Sequence, residues 1–250
     1  MARHSWLRTF LPRPRASSQL ICFPHAGGVA STFRDWAELL PVSVELLAVQ
    51  YPGRQDRIDD PMPPDIATLA DEIRGAVVPL LGRPTTFFGH SMGSTVAFEV
   101  ARRLRPHYPS RLERLVVSAC DAPVAHRPRG LDGGDEKIRD HVRTLGGTAA
   151  TVLDDTDLWR LAMRALRHDF ALVESYRYVP GAPLTCPVTA VAGSRDAAVT
   201  IDDVVRWREL TIGPFDAHVL PGGHFYFDGA LPDLIRLLAD RTPERIDRGC

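Results

Sequence analysis

A serine flanked by two glycines marks a sharp change of pattern in the chain. A strand-like run ends in Phe87-Phe88, Gly89-His90-Ser91-Met92-Gly93 follows, and apolar residues then recur at helical spacing up to Leu104. This order predicts a strand that turns abruptly into a helix and lifts the Ser91 hydroxyl above the end of a sheet. Glycine suits such a turn because a side chain would collide with the crowded backbone, and because glycine tolerates unusual φ/ψ angles. Short G-x-S-x-G matches also occur in ordinary loops, so the flanking strand and helix are what favour a nucleophilic Ser91.

Strand-like and helix-like segments alternate through most of the chain. Short apolar runs predict strands at residues 20–23, 44–49, 115–118, 188–191 and 217–220. Helices are predicted from a cap at Ser31 through residue 40, from a cap at Asp65 through residue 81, and at 201–210 and 231–239. The alternation predicts an α/β fold, a mostly parallel sheet with helices on both faces. The length of 250 residues suits a single domain over 1–250.

The region from about residue 125 to residue 181 interrupts the alternation. It opens with a polar stretch that contains glycine and proline, and it then carries helical patterns at 138–145, 157–166 and 169–176. We interpret this region as a helical lid inserted over the end of the sheet. Some of its apolar side chains either line an acyl pocket or only pack the lid onto the body: Leu158, Trp159, Met163 and Phe170.

Composition argues against several classes of protein. The formal net charge of −1 gives no basic footprint for nucleic acid. No stretch approaches the length of a membrane span, and residues 1–18 lack the apolar core of a secretory signal. That segment is expected to be a mobile lead-in or an edge strand. The four cysteines are widely spaced, which argues against a metal site and fits a reduced, cytoplasmic compartment: Cys22, Cys120, Cys186 and Cys250.

A nucleophilic serine needs a base, and the base needs an acid that orients it. In sheets with such a turn the chain order is Ser, then Asp or Glu, then His. His224 follows two glycines after the last predicted strand, so it is the predicted base. Asp196 follows the preceding strand and is the favoured acid. Asp121 also follows a strand and stays open as the alternative acid.

Two backbone N–H groups are expected to stabilise an oxyanion formed beside Ser91. One belongs to Met92, where the helix begins and free N–H groups favour negative charge. The other is expected in the loop His25-Ala26-Gly27-Gly28, most simply at Ala26. The alternative for the two glycines of this loop is an ordinary turn.

Several motifs together resemble the type II thioesterases. The combination is more specific than the serine turn alone, which many α/β-hydrolases share, and it spans about residues 20–239. The motifs are Phe23-Pro24-His25-Ala26-Gly27-Gly28, Tyr51-Pro52-Gly53-Arg54-Gln55-Asp56-Arg57, Gly89-His90-Ser91-Met92-Gly93, Arg143-Thr144-Leu145-Gly146-Gly147-Thr148, Asp169-Phe170-Ala171-Leu172-Val173-Glu174-Ser175-Tyr176 and Gly222-Gly223-His224-Phe225.

The resemblance implies an α/β-hydrolase fold and a cofactor-free enzyme that acts with modular polyketide synthases or nonribosomal peptide synthetases. Such an enzyme hydrolyses acyl groups from the phosphopantetheine arm of acyl or peptidyl carrier proteins, often removing units that stall the synthase. A monomer is expected. Arg54 and Arg57 are expected either to contact the carrier or to form ion pairs within their loop. Acyl transfer, dedicated product release and non-catalytic binding of carrier protein remain as alternatives.

Overall fold

The computed structural model describes residues 6–104, 112–131, 134–146 and 156–240, without the side chains of 156–158. Among these residues, seven strands form one sheet in the order β1-β3-β2-β4-β5-β6-β7. The strands are β1 (Leu7–Arg8), β2 (Ser18–Phe23), β3 (Val44–Val49), β4 (Thr85–His90), β5 (Leu112–Ser118), β6 (Val188–Gly193) and β7 (Phe215–Leu220).

All neighbouring strands run parallel except β1, which pairs antiparallel with β3 at one edge of the sheet. The predicted α/β fold with a mostly parallel sheet is therefore confirmed. Of the two expectations for the N-terminal segment, the edge strand is the one that the described residues bear out; residues 1–5 lie outside them. Because parallel strands share one carboxyl edge, the loops after β2, β4, β6 and β7 meet there.

Helices cover both faces of the sheet. They are α1 (Trp36–Leu39), α2 (Ile66–Val77), α3 (Met92–Arg103), α4 (Asp135–Leu145), α5 (Thr156–Ser175), α6 (Ile201–Val205) and α7 (Phe227–Ala239). Strand β2 shows how the two layers arise. Ile21 and Phe23 pack into the layer with α2 and α3, whereas Leu20 and Cys22 pack into the layer with α1 and α7. Alternate side chains of a strand point to opposite faces, so a strand buried on both sides reads as a continuous apolar run.

The start of one predicted helix is wrong. Ser31 does not cap a helix; it lies inside a 3₁₀ turn, Ala30–Phe33, and α1 begins only at Trp36. The reason is a distant side chain, since the buried Gln50 amide oxygen accepts the Ala30 N–H at 3.0 Å and fixes where the turn begins. The Asp65 cap of α2 is confirmed, with its carboxylate accepting the Thr68 N–H at 2.7 Å.

Other helix ends shift by one turn. The segments 78–80 and 206–210 form 3₁₀ turns that continue α2 and α6, and α7 begins at Phe227 rather than at Leu231. Helix α3 ends at Arg103, with Leu104, where the helical pattern of the sequence ends, as its C-cap residue. In the described parts of the chain, no helix has the length and apolar character to cross a membrane.

The helical insertion, residues 125–181, lies between β5 and β6 and contains α4 and α5. Two separate helices were predicted for 157–166 and 169–176, and this is wrong, because α5 runs unbroken over Thr156–Ser175. Neither Arg167 nor His168 breaks a helix, so nothing in the sequence forces an interruption. The helices pack through an apolar cluster of their own: Leu131, Ile138, Val142, Trp159, Met163, Leu166 and Phe170.

Candidate active site

Ser91 lies in a strained turn between β4 and α3. Its φ of 53° and ψ of −125° fall outside the regions that non-glycine residues usually adopt. Two backbone hydrogen bonds hold it there, from the Ser91 N–H to the Ser118 oxygen at 2.8 Å and from the Ser94 N–H to the Ser91 oxygen at 2.8 Å. Such strain costs about 1–3 kcal/mol and persists where the surroundings enforce it, which is common at reactive sites.

The two glycines beside Ser91 are required by close approach of the backbone. A Cβ added at Gly89 would lie 2.5 Å from the Ser94 Cα, and one at Gly93 would overlap the Phe23 oxygen. The collision predicted from the sequence is therefore present. The unusual backbone angle belongs to Ser91 instead, since neither glycine has a positive φ.

His224 and Asp196 meet at the carboxyl edge of the sheet, in the loops after β7 and β6. The His224 Nδ1 and Asp196 Oδ2 atoms are 2.9 Å apart, and their side chains are only 3% and 1% exposed. The other carboxylate oxygen of Asp196 accepts the Ala198 N–H at 2.8 Å, which fixes the carboxylate. The loops that carry the two residues pack tightly, because a Cβ at Gly193 would lie 2.8 Å from the Gly222 oxygen.

The second ring nitrogen of His224 is buried and unpaired. Its Nε2 atom has no hydrogen-bond partner among the described residues. With Nδ1 donating its proton to Asp196, Nε2 can accept a proton from a neighbouring hydroxyl. Asp121, the alternative acid, instead forms an ion pair with Arg129 at 3.1 Å. The structure thus brings His224 together with Asp196 and not with Asp121.

One cavity of about 530 Å³ joins the predicted site residues. Ser91, His224, Ala26 and Met92 all line it. Met92 is the first residue of α3, where backbone N–H groups have no partner within the helix. The cavity is thus able to place a carbonyl group between a serine, an imidazole and backbone donors.

The helical insertion lines the cavity with mainly apolar side chains, together with the polar side chains of His126, Arg129 and His141. Of the two roles left open for these side chains, Trp159 and Phe170 fill both, since they line the cavity and belong to the apolar cluster of the insertion. Met163 belongs to the cluster alone, and the Leu158 side chain lies outside the described residues. The insertion contributes further lining residues that sequence analysis did not single out: Leu131, Val142, Leu145, Ala162, Leu166 and Val173.

Two more histidines lie near His224, and both are held neutral. Burial, with a contribution from His224, lowers the pKa of His25 to about 4. Burial likewise lowers the pKa of His90 well below its usual value. The centres of the His90 and His224 rings are 5.1 Å apart, and the His90 Nδ1 lies 2.9 Å from the Ser118 hydroxyl. The two rings beside His224 are therefore uncharged and place no second positive charge in the site.

Sequence analysis missed the polar groups that support the serine turn. The Ser94 hydroxyl donates to the Gly89 oxygen at 2.7 Å and accepts the Ser118 N–H at 3.0 Å. The Ser118 hydroxyl lies 2.7 Å from the Tyr226 hydroxyl. In the sequence, this network shows only as serine and tyrosine residues within apolar segments. Such residues are too common to predict hydrogen bonds between them.

Arg54 and Arg57 are buried in ion pairs rather than presented to a partner. Arg54 pairs with Asp169 at 2.6 Å, and Arg57 pairs with Asp60 at 2.6 Å. The Arg57 guanidinium also stacks 4.1 Å from the centre of the Trp6 ring. The expected local ion pair is present for Arg57, whereas Arg54 pairs outside its own loop, with helix α5.

The cysteines and other potential ligands do not form a metal cluster where the chain is described. Cys22 is buried, and Cys120 lines the cavity with a thiol whose pKa burial raises to about 12. That thiol stays protonated at neutral pH and is a poor nucleophile. Over the described ranges, no three histidine, cysteine or acidic side chains are grouped to hold a metal ion.

Comparison with known families and structures gives one consistent result. The thioesterase domain family matches residues 18–242. The thioesterase PikA5 of Streptomyces venezuelae is 42% identical over 238 residues, which cover 94% of this chain and 84% of that protein.

Two solved structures share the fold over nearly the whole chain. The type II thioesterase BorB from the borrelidin biosynthetic cluster superposes with a TM-score of 0.88 at 40% identity, covering 96% of this chain and 99% of BorB. RedJ, a thioesterase of the prodiginine pathway in Streptomyces coelicolor, gives a TM-score of 0.85 at 33% identity, covering 92% of this chain and 88% of RedJ.

Proposed function

The chain belongs to the thioesterase family, and on that premise we propose that it removes acyl groups from the phosphopantetheine thiol of carrier proteins through an acyl-Ser91 intermediate. Its homologues are type II thioesterases of polyketide and nonribosomal peptide pathways, so the chain is a hydrolase that cleaves acyl thioesters. The catalytic residues, the carrier-bound substrate and the role in removing stalled acyl units are what we propose beyond that activity.

One observation supports the residue assignment above all others. The buried Nε2 of His224 is unpaired in the cavity that Ser91 lines, while Nδ1 of the same ring is paired with Asp196. An imidazole held in this way accepts the serine proton and carries the resulting charge beside a carboxylate. A buried nitrogen without a hydrogen-bond partner is energetically unfavourable. This argues that a reacting hydroxyl group supplies the missing partner of Nε2.

The reaction then proceeds in two halves. His224 takes the Ser91 proton as Ser91 Oγ attacks the thioester carbonyl carbon, and the oxyanion is stabilised by the N–H groups of Met92 and Ala26. The carbon–sulfur bond breaks, and the pantetheine thiolate leaves with the proton from His224. Water next attacks the acyl-serine while His224 takes its proton, and this proton returns to Ser91 as the carboxylic acid is released.

The acyl chain is proposed to lie against the apolar wall of the helical insertion. Trp159, Leu166 and Phe170 are large apolar side chains of this wall and are themselves buried. A cavity of about 530 Å³ suits acyl groups of limited size better than a full-length polyketide or peptide. This size supports editing, in which short units that stall a synthase are removed, over release of the finished product.

Hydrolysis of a panel of acyl groups tests the proposal. Each acyl group is loaded on a carrier protein and, separately, on free pantetheine, and kcat/KM is measured for both with the wild type and with Ser91→Ala. We expect short acyl groups on the carrier to be hydrolysed fastest and Ser91→Ala to be inactive. Preference for a long finished chain would contradict editing, and acyl transfer to an added amine or alcohol in place of water would contradict hydrolysis.

A further inference from the structure

A buried ion pair joins the helical insertion to the loop after strand β3. Arg54 donates from Nη1 to Asp169 Oδ2 at 2.6 Å and from Nη2 to Asp169 Oδ1 at 2.8 Å. The two side chains are 6% and 2% exposed. A two-point pair of this kind is strong and fixed in geometry. Buried ion pairs often add little net stability, however, because both charges lose their hydration, so this pair calls for another explanation.

The pair also binds the backbone of the loop that contains Ala26. Asp169 Oδ2 accepts the Gly27 N–H at 2.7 Å. Arg54 Nη1 donates to the Gly28 oxygen at 3.2 Å. The two charged side chains therefore hold an N–H and a C=O of consecutive residues, immediately after the proposed oxyanion donor.

Helix α5 contacts the same loop at a second point. Gly27 has a φ of +74°, and a Cβ added there would lie 2.5 Å from the Leu166 Cδ2 atom. Leu166 and Asp169 are three residues apart, so they lie on one face of the helix. That face touches the loop through an apolar contact and a charged hydrogen bond together.

These contacts restrict the backbone on the C-terminal side of Ala26. The peptide unit between Ala26 and Gly27 is planar, so fixing the direction of the Gly27 N–H fixes that whole plane. Only the two dihedral angles of Ala26 then separate this plane from the Ala26 N–H. A donor that is aimed before the reaction stabilises an oxyanion far better than one that must reorient.

We propose that Asp169, held by Arg54, is a positioning residue for the oxyanion site, so that this site is complete only while helix α5 is seated on the loop. The inference rests on the proposed function, because it assumes that Ser91 is acylated and that Ala26 is a donor. The helical insertion then has a second role besides lining the cavity. Its packing against the Ala26 loop determines whether the Ala26 N–H is in place to bind the oxyanion.

Asp169→Asn is the test, because it keeps the shape of the side chain and removes its charge. We measure kcat and KM on a short acyl-pantetheine thioester, together with the inhibition constant of a trifluoromethyl ketone carrying the same acyl chain. Such a ketone adds to the serine and forms a stable tetrahedral oxyanion. We expect kcat to fall about 10- to 100-fold, KM to change less than about 3-fold, and the inhibition constant to rise in parallel with the loss of kcat.

Glu174→Gln is the matched control on the same helix. The Glu174 carboxylate is also buried and also accepts backbone N–H groups, those of Arg129 and Gly130 at 2.9 Å, but it does not touch the Ala26 loop. We expect this variant to lower Tm while leaving the ratio of the inhibition constant to KM within about 3-fold of the wild type. If Asp169→Asn does not fold, the double variant Arg54→Gln, Asp169→Asn leaves no unpaired buried charge and is measured in the same way.

Two results overturn the inference. One is an Asp169→Asn variant with wild-type kcat and a wild-type inhibition constant; the other is an equal loss of both in Glu174→Gln. The Ser91→Ala variant distinguishes failure of the proposed function from failure of the positioning role of Asp169. If Ser91→Ala stays active, the proposed function fails; if it is inactive while Asp169→Asn behaves as wild type, only the positioning role fails.

Discussion

The loops at the carboxyl edge of the sheet and the helical insertion above them are built by different kinds of contact. In the loops, backbone packs on backbone: a Cβ at Gly93 would overlap the Phe23 oxygen, and one at Gly193 would approach the Gly222 oxygen to 2.8 Å. In the insertion, side chains pack on side chains, as where the Arg139 guanidinium lies 4.9 Å from the centre of the Trp159 ring.

The two kinds of contact tolerate substitution to different extents. Backbone contacts leave no room for a larger residue, so the position of Ser91 and His224 tolerates little change. Side-chain contacts can be repacked by substitutions of similar volume at modest cost. The same reacting groups can therefore serve different acyl chains, provided that the insertion still seats on the Ala26 loop.

The largest expected effect comes from the acid that orients His224. Asp196→Asn should lower kcat by about 10⁴-fold, because the amide no longer holds the ring in the correct tautomer or stabilises its charge. The control is Asp121→Asn, whose carboxylate pairs with Arg129 and does not reach His224. Steady-state kinetics on both variants decides the assignment. Loss of activity in Asp121→Asn with a normal Asp196→Asn would show that the wrong carboxylate has been chosen.

Gly93→Ala tests the backbone contacts of the loops directly. The added methyl group meets backbone oxygens of Phe23 and Pro24 that cannot move independently of β2. We expect the free energy of unfolding to fall by about 1–3 kcal/mol and kcat to fall by about 100-fold as the Met92 N–H shifts.

Gly75→Ala is the matched control for that substitution. Gly75 is exposed in the interior of α2, and a Cβ there would meet nothing within 4 Å. It should leave kcat unchanged and raise stability by about 0.5–1 kcal/mol, since alanine favours the helix. Equal behaviour of the two variants in urea unfolding would refute the claim that backbone packing fixes the loops.

Trp159→Ala tests the side-chain contacts of the insertion. Removing the indole enlarges the apolar wall, so kcat/KM should shift toward longer or branched acyl chains by about 10-fold. The rate at which a fluorophosphonate labels Ser91 should stay within about 3-fold, since the reacting groups do not contact the indole. Leu161→Ala is the control, because Leu161 lies on the same helix but is 64% exposed. An unchanged acyl profile in Trp159→Ala would place the acyl chain elsewhere.

The smallest effect is the pH dependence of the contact between the two regions. Burial raises the pKa of Asp169, but the Arg54 charge and its hydrogen bonds outweigh burial and lower this pKa from 3.8 to about 2. The ion pair therefore makes its full contribution to the free energy of unfolding above about pH 4, and this contribution is lost as the pH falls toward 2.

Urea unfolding between pH 5 and pH 2 measures this contribution. The pH-dependent part of the stability difference between wild type and Asp169→Asn should be roughly 2 kcal/mol above pH 4 and should shrink toward zero by pH 2. A difference that stays constant over this range would mean that the carboxylate gains nothing from Arg54.

The two regions also differ in how far sequence alone predicts them. The serine turn and the histidine loop leave a glycine signature, because only glycine fits where backbones touch. Their chemistry could therefore be predicted from residues close together in the chain. The insertion leaves no such signature. The two helices predicted for residues 157–166 and 169–176 form a single helix. The ion pair between Arg54 and Asp169 joins residues that are 115 positions apart, and no local sequence pattern connects them.

Mass spectrometry of the enzyme during turnover shows whether Ser91 carries the acyl group. The enzyme is mixed with an acyl-loaded carrier protein, quenched with acid, digested and mapped. We expect the peptide that contains Ser91 to gain the mass of the acyl group, and we expect Ser91→Ala to show neither the adduct nor turnover. Full turnover with no acyl adduct on Ser91, together with an active Ser91→Ala variant, would contradict this expectation.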